Sequence, residues 1–364
     1  MSTPSGLRLP ISTASEADIA EALAARVCEA SAAGEPLRIV GGDTKQGYGR
    51  PVSAQALRVS GHRGVIDYQP SELVITARAG TPLVEIEALL GRHGQMLGFE
   101  PLLTGAASTL GGAVASGLSG PRRPFAGAAR DQILGVTILD GRGRRMRLGG
   151  VVFKNVAGFD AFRLMAGALG SLGVLLDVSL RVAPRPAREI TLAFPQTWAT
   201  ARLRVADLLR RPLPVTALAH DGERLLVRLA GSEAGLETAC AQLGGQAASG
   251  EIWDRLRQPH EMWPQSPRLW RLALPRGSAL DALPGLVVRD WAGAQVWLAS
   301  DAPSAAIRTL AAQADGHATL FRGAGEDEAV FDALPSPMLA IHRRLKAAFD
   351  PAGILNPGRL YAEL

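Results

Sequence analysis

The sequence is short of the residues that build clusters and scaffolds. It has two cysteines, Cys28 and Cys240, far apart and without a C-x-x-C spacing. That excludes a disulfide framework, and two thiols cannot supply the four ligands of an iron–sulfur cluster. Six histidines (His62, His93, His220, His260, His317, His342) stand alone, with no pair at ligand spacing on one element, so no metal is expected. Lysine occurs only as Lys45, Lys154 and Lys346. The formal charge of +5 and pI near 9.7 therefore come from scattered arginines. No run of like charge or basic patch with stacking aromatics supports nucleic-acid binding. No stretch of 18 apolar residues can span a membrane, and the first residues lack a basic segment followed by an apolar one. A reduced, cytoplasmic chain is the expectation. A Walker A loop is excluded, because no Gly-Lys dipeptide exists.

What is present is a core-forming composition, 47% hydrophobic and 20% charged, with 41 glycines concentrated in loops. The length of 364 residues suggests two or so domains. Residues 14–33 have helical spacing. Leu37–Val40 is an apolar strand running into Gly41-Gly42-Asp43-Thr44-Lys45. Gly64–Ile66 and Leu73–Ala77 read as strands around a Gln69-Pro70 turn. Thr81–His93 is a helix opened by Thr-Pro. Gln132–Leu139 and Arg144–Leu148 form a hairpin around Asp140-Gly141-Arg142-Gly143. Val174–Val182 is a strand closed by Pro184 and Pro186, where a domain boundary falls. All six tryptophans follow that boundary, within alternating segments such as Arg224–Leu229 and Ala294–Leu298. These suggest antiparallel strands with helices on one side, and the tryptophans are candidates for a docking surface as well as for core. Residues 336–350 form an amphipathic helix.

Four constellations carry the chemistry. Gly41-Gly42-Asp43-Thr44-Lys45 after a strand can gather backbone amides around an anion, with a hydroxyl and a charge beside them. Ser108-Thr109-Leu110-Gly111-Gly112, running on to Ser116-Gly117, reads as a helix start whose free amides and small side chains admit a pyrophosphate. Tight packing through small residues explains it equally well. Lys154-Asn155-Val156-Ala157-Gly158-Phe159-Asp160 is followed by Gly167, Gly170 and Gly173-Val174. That spacing implies backbone pressed against a flat ligand or another strand. Asp350-Pro351-Ala352-Gly353-Ile354-Leu355-Asn356-Pro357-Gly358-Arg359 closes the pattern as successive turns.

In order and spacing these segments resemble the vanillyl-alcohol-oxidase-type (PCMH-type) FAD-binding family, densely over residues 35–185 and again over 340–361. Within it, the Gly41–Lys45 loop, Gly316-His317-Ala318-Thr319-Leu320-Phe321-Arg322 and the Leu355–Tyr361 ending look most like glycolate oxidase FAD-binding subunits. The resemblance implies an α+β fold. A two-subdomain FAD-binding domain (1–185) precedes an antiparallel sheet-plus-helices cap domain (186–335), and 336–364 returns to the FAD domain. It places Gly41, Gly42, Asp43, Thr44 and Lys45 at the FAD pyrophosphate. Thr109, Gly111, Gly112, Ser116 and Gly117 face the pyrophosphate and ribityl chain. Gly173 and Val174 lie along flavin or adenine, and Asn356 sits near the isoalloxazine edge.

The implied activity is oxidation of a small 2-hydroxy acid, glycolate to glyoxylate. The implied partners are a larger flavin subunit and an iron–sulfur subunit, through which the chain would reach a membrane. FAD is expected to be noncovalent, because Asp43 stands where covalent members carry histidine. The metal segment of larger relatives is reduced to His317, and Arg322 is left as the candidate for a substrate carboxylate. A stand-alone dehydrogenase and a non-catalytic flavin-holding scaffold are the alternatives.

Overall fold

The computed structural model describes residues 17–150, 160–325 and 328–364, so Lys154–Phe159 of the third constellation lies outside the described residues. The chain divides into two compact units. One gathers the residues up to Leu118, Ala128–Arg185 and Ala333–Leu364; the other gathers Ser119–Gly127 and Pro186–Asp332.

In the first unit, helix Ala20–Ala33 buries Ala20, Leu23, Val27 and Ala30, the three- and four-residue spacing of a single apolar stripe. It starts later than residue 14 because Ala17 pairs with Arg63 and the Asp18 carboxylate accepts from the Ala20 amide at 3.0 Å. It stops at Gly34, whose left-handed backbone (φ 68°) returns its amide to Ala30 O. Strand Leu37–Val40 pairs in parallel with Gln55–Arg58. Its other edge is met from the far end of the chain, since Leu37 N donates to Ile354 O (2.7 Å) and Asn356 N donates to Leu37 O (2.9 Å).

Beside this lies a five-stranded antiparallel sheet in the order Val65–Gln69, Val74–Arg78, Val174–Arg181, Ile133–Leu139, Arg145–Gly149. The last pair is the expected hairpin, with Asp140 accepting from the amides of Arg142 and Arg144 at 2.9 Å each. Leu83, Ile86, Leu90, Phe99, Val114, Ile138, Leu176 and Val178 are fully enclosed in the core that results. Each such side chain contributes about 1.5–3 kcal/mol relative to exposure. Helix Ser336–Phe349 is anchored by Lys346, whose buried ammonium donates to Asp350 Oδ2 (2.7 Å), Ser171 O (2.9 Å) and Leu355 O (2.6 Å). Asp350 in turn accepts from the amides of Ile354 and Leu355.

The second unit is an eight-stranded antiparallel sheet. Its order is Gln246–Ala248, Arg188–Pro195, Arg224–Gly231, Val215–His220, Leu286–Asp290, Gln295–Ala299, Leu269–Ala273, His317–Arg322. The registers put Leu218, Val227, Leu298 and Trp270 on one face. Helices Trp198–Leu208, Glu233–Leu243 and Ser304–Gln313 cover that same face. Five tryptophans are buried, Trp270 and Trp297 completely, so they serve as core rather than as a docking surface.

Candidate functional site

Strand Leu37–Val40 delivers the chain into the glycine loop, and two glycines are there because nothing larger fits. A Cβ on Gly42 would overlap the carbonyl of Ala107, and one on Gly41 would lie 2.6 Å from Thr109 Oγ1. The loop is thus pressed onto its neighbour, the 105–109 segment, and Gly42 excludes a side chain because of that backbone. Asp43 adopts a left-handed conformation (φ 56°), which an aspartate tolerates better than most residues. Its carboxylate pairs with Arg38 Nη1 at 3.0 Å. Thr44 Oγ1 is held by the hydroxyls of Ser108 (3.1 Å) and Thr104 (3.0 Å), so it braces the two loops. Lys45 differs from all of these. Its Nζ is buried without a hydrogen-bond partner, and burial pushes its pKa down from 10.5 to about 8.

The facing wall is the short helix Leu110–Ser116, and it does not offer the free amides that the sequence suggests. Leu110 N donates to Thr81 O, Gly111 N to Ala79 O and Gly112 N to the capping hydroxyl of Thr109. The small residues serve close packing: a Cβ on Gly111 would sit 2.8 Å from Ala79 Cβ. Gly117 is the left-handed cap (φ 63°) set against the Gly167 backbone, away from the cleft lining. Val174 is a core residue, whereas Gly173, Gly170 and Leu169 line the cleft. Ser116 lines it too, with its hydroxyl spent on Ala113 O.

The third wall comes from the far end of the chain. Asn356 has a left-handed backbone (φ 44°), and both ends of its amide are engaged. Oδ1 accepts from Ile39 N (2.7 Å) and Nδ2 donates to Leu169 O (2.6 Å). It is a tie between strand and loop, not a group free to react. Arg359 donates to the carbonyls of Lys45, Gln46, Tyr48 and Arg50. The sequence assigns no role to Arg38 or to Arg359, although Arg359 belongs to the closing run of turns.

Together these walls form a cleft of two joined chambers. The outer one, about 260 Å³ and open to solvent, has Arg38, Asp43, Lys45 and Arg359 as its charged lining among the described residues. Three cations and one anion leave a net +2. The inner one, about 90 Å³, shares Gly41, Thr109, Gly112 and Asn356 with the first and, among the described residues, is lined by uncharged ones, Ile39, Val59, Met165 and Leu175 included. A doubly positive mouth leading to a narrow apolar slot suits a ligand with a pyrophosphate and a flat ring. The orphaned ammonium is what such a ligand would satisfy.

Arg322 lies elsewhere, in the second unit. It donates to the carbonyls of His260, Trp263 and Ser266 at 2.5, 2.8 and 2.7 Å. Its guanidinium is used to pin that segment, and the reading as a carboxylate clamp gives way to a structural one. Among the described residues, no group of three or more His, Cys, Asp or Glu could hold a metal ion. No helix among them is long and apolar enough to cross a membrane.

An FAD binding domain model matches residues 14–149, and a model for the C-terminal domain of FAD linked oxidases matches 301–360. The glycolate oxidase subunit GlcE of Escherichia coli (strain K12) is 44% identical over 350 residues, 96% of this chain and 99% of the relative. The chain belongs to the GlcE family of glycolate oxidase subunits. This GlcE-family chain also matches glycolate oxidase subunit GlcD of Bacillus subtilis (strain 168), 31% identical over 36% of the chain and 28% of the relative. Alkyldihydroxyacetonephosphate synthase superposes with a TM-score of 0.64 at 15% identity, over 93% of this chain and 74% of that one. The fold is therefore the α+β, PCMH-type FAD-binding fold that the resemblance implied.

Proposed function

We propose that this GlcE-family chain is the FAD-binding subunit of a glycolate (2-hydroxy acid) oxidase and works within a complex. The observation that carries the reading is the doubly positive mouth with an unpartnered, buried Lys45 Nζ, in a chain related to GlcE along nearly its whole length. The first unit acts as the FAD domain, and residues 333–364 belong to it; the second acts as the cap. Lys45, Arg38 and Arg359 neutralise the pyrophosphate, Asp43 tempers their charge, and Gly41, Gly42, Thr44, Thr109 and Gly112 shape the floor. Gly111, Gly173 and Asn356 border the apolar slot. The flavin, when bound, supplies two-electron acceptance from the hydroxy-acid carbon. The chain's own task is to hold it in one orientation and to exclude water from the slot. FAD is held noncovalently: Asp43 is spent on Arg38, and neither cysteine lines the cleft.

With two cysteines the chain has no cluster of its own, so electrons leave through partners, a larger flavin subunit and an iron–sulfur subunit. The substrate is a small 2-hydroxy acid, glycolate first. The test is the visible spectrum of the purified chain, followed by anaerobic glycolate, alone and after co-purification with a tagged larger flavin subunit. Bound flavin with glycolate-dependent dye reduction only in the assembled complex supports the reading. Equal dye reduction by the isolated chain replaces it with a self-sufficient dehydrogenase. A flavin that substrate never reduces replaces it with a scaffold.

A further inference from the structure

The loop that lines the pyrophosphate mouth has little structure of its own. Across Lys45–Arg50 its internal backbone bond is Tyr48 N to Lys45 O at 3.1 Å. Four of its carbonyls instead converge on one side chain. Arg359 Nη1 donates to Arg50 O (2.6 Å), and Nη2 donates to Lys45 O (2.8 Å), Gln46 O (3.1 Å) and Tyr48 O (2.8 Å). The Arg50 amide returns a bond to Arg359 O at 2.9 Å.

Two consequences follow from elementary electrostatics. Carbonyl oxygens left unpaired beside the mouth would repel a pyrophosphate; a guanidinium that collects them cancels that partial charge and adds a full positive one. In a trans peptide the N–H points opposite to the C=O, so turning these carbonyls toward Arg359 turns the amides of Gln46, Gly47 and Gly49 away from it and fixes their direction.

The fit also explains Gly49. Its backbone is left-handed (φ 98°), and a Cβ there would lie 2.9 Å from Leu169 Cδ1, 3.0 Å from Arg359 Nε and 3.1 Å from Arg359 O. The segment that leads to Arg359 is tied down: Lys346 Nζ donates to Leu355 O, the Asn356 side chain is bonded to Ile39 and Leu169, and Arg359 N donates to Asn356 O at 3.2 Å.

We infer that Arg359 is a positioning residue for the cofactor: it builds the pyrophosphate loop from the carboxy-terminal side, and FAD affinity depends on its planar fork and not on its charge alone. This rests on the FAD reading above. By reciprocity, bound FAD holds the Asn356–Arg359 segment in place.

The experiment titrates the full-length apo-chain with FAD, ADP and riboflavin for wild type, Arg359→Ala, Arg359→Lys and Gly49→Ala, with apo-protein melting recorded in parallel. Arg359→Ala and Gly49→Ala weaken FAD and ADP alike, on the order of 10- to 100-fold, and leave riboflavin unaffected. Arg359→Lys recovers only part of the loss, because a compact ammonium cannot reach four carbonyls. Digestion with carboxypeptidase slows when FAD is added to wild type and not when it is added to Arg359→Ala. Full recovery by Arg359→Lys, or FAD affinity within twofold of wild type in Gly49→Ala and Arg359→Ala, overturns the inference. A wild-type chain that binds neither FAD nor ADP overturns the cofactor reading itself.

Discussion

Replacing Lys45 by methionine sets stability against cofactor binding. The buried, unpartnered ammonium has its pKa pushed from 10.5 down to about 8, which corresponds to about 3 kcal/mol of penalty for carrying the charge in the folded apo-protein. The penalty is full below pH 8, fades as pH rises from 8 to 10.5, and is absent above that, because only in this window does the unfolded chain bind more protons than the folded one. Methionine keeps the length of the side chain and removes the charge. At pH 7 the apo-variant is therefore expected to be more stable by up to about 3 kcal/mol, a rise in melting temperature of about 5 °C. FAD binding moves the other way. Losing one charge-assisted contact to a pyrophosphate weakens it on the order of 10- to 100-fold.

In wild type, FAD affinity should fall as pH rises above 8, by up to tenfold per unit, since the amine must take up a proton to face the phosphates. Lys45 is the one amine side chain that lines the cleft among the described residues, so this pH dependence reports on it. Differential scanning fluorimetry of the apo-protein and fluorescence titration with FAD from pH 7 to 9.5 measure both effects. An apo-variant no more stable than wild type, together with unchanged and pH-independent FAD affinity, refutes the reasoning.

Three further outcomes are expected. Gly42→Ala should already lose most bound FAD, because even a methyl group overlaps the Ala107 carbonyl; the flavin-to-protein absorbance ratio checks it. Lys346→Met should destabilise the chain by about 3–5 kcal/mol in urea unfolding by leaving Asp350 buried without its cation, and adding Asp350→Asn should restore part of that. Acid precipitation should leave a white pellet and a yellow supernatant, whereas a yellow pellet would mean covalent attachment.

Much of the fold was legible because its signals are local. The Asp140-Gly141 turn sits between two alternating runs, and the structure pairs Ile133–Leu139 with Arg145–Gly149 around it. Leu37–Val40 is the strand its four-residue apolar run suggests. The site was legible as a set of loops, not as a set of contacts. Thr109-Leu110-Gly111-Gly112 gives the same sequence pattern whether its amides await a phosphate or bond to Ala79 and Thr81, and only the partners some 30 residues away decide. Asn356 looked like a residue at the flavin edge, yet its amide is consumed by Ile39 and Leu169. Arg322 and Arg359 are indistinguishable as arginines. The carbonyls that each collects separate a clamp in the second unit from a clamp on the Lys45–Arg50 loop. Such roles depend on segments more than 300 positions apart for Arg359, beyond the reach of any periodicity.

The pairing of Leu37 with Ile354–Asn356 also fixes an order of events during synthesis. When Gln55–Arg58 leaves the ribosome, Leu37–Val40 has one of its two edge partners, and Arg359 is still about 300 residues away. At about 5–20 residues per second that wait is roughly 15–60 s. Through it the glycine loop has neither its clamp nor its third wall, and a strand edge stays open to wrong pairing. Completion of the cleft is thus a late event in the life of each chain, and an early stop that spares every residue up to 350 still leaves out its third wall and its clamp.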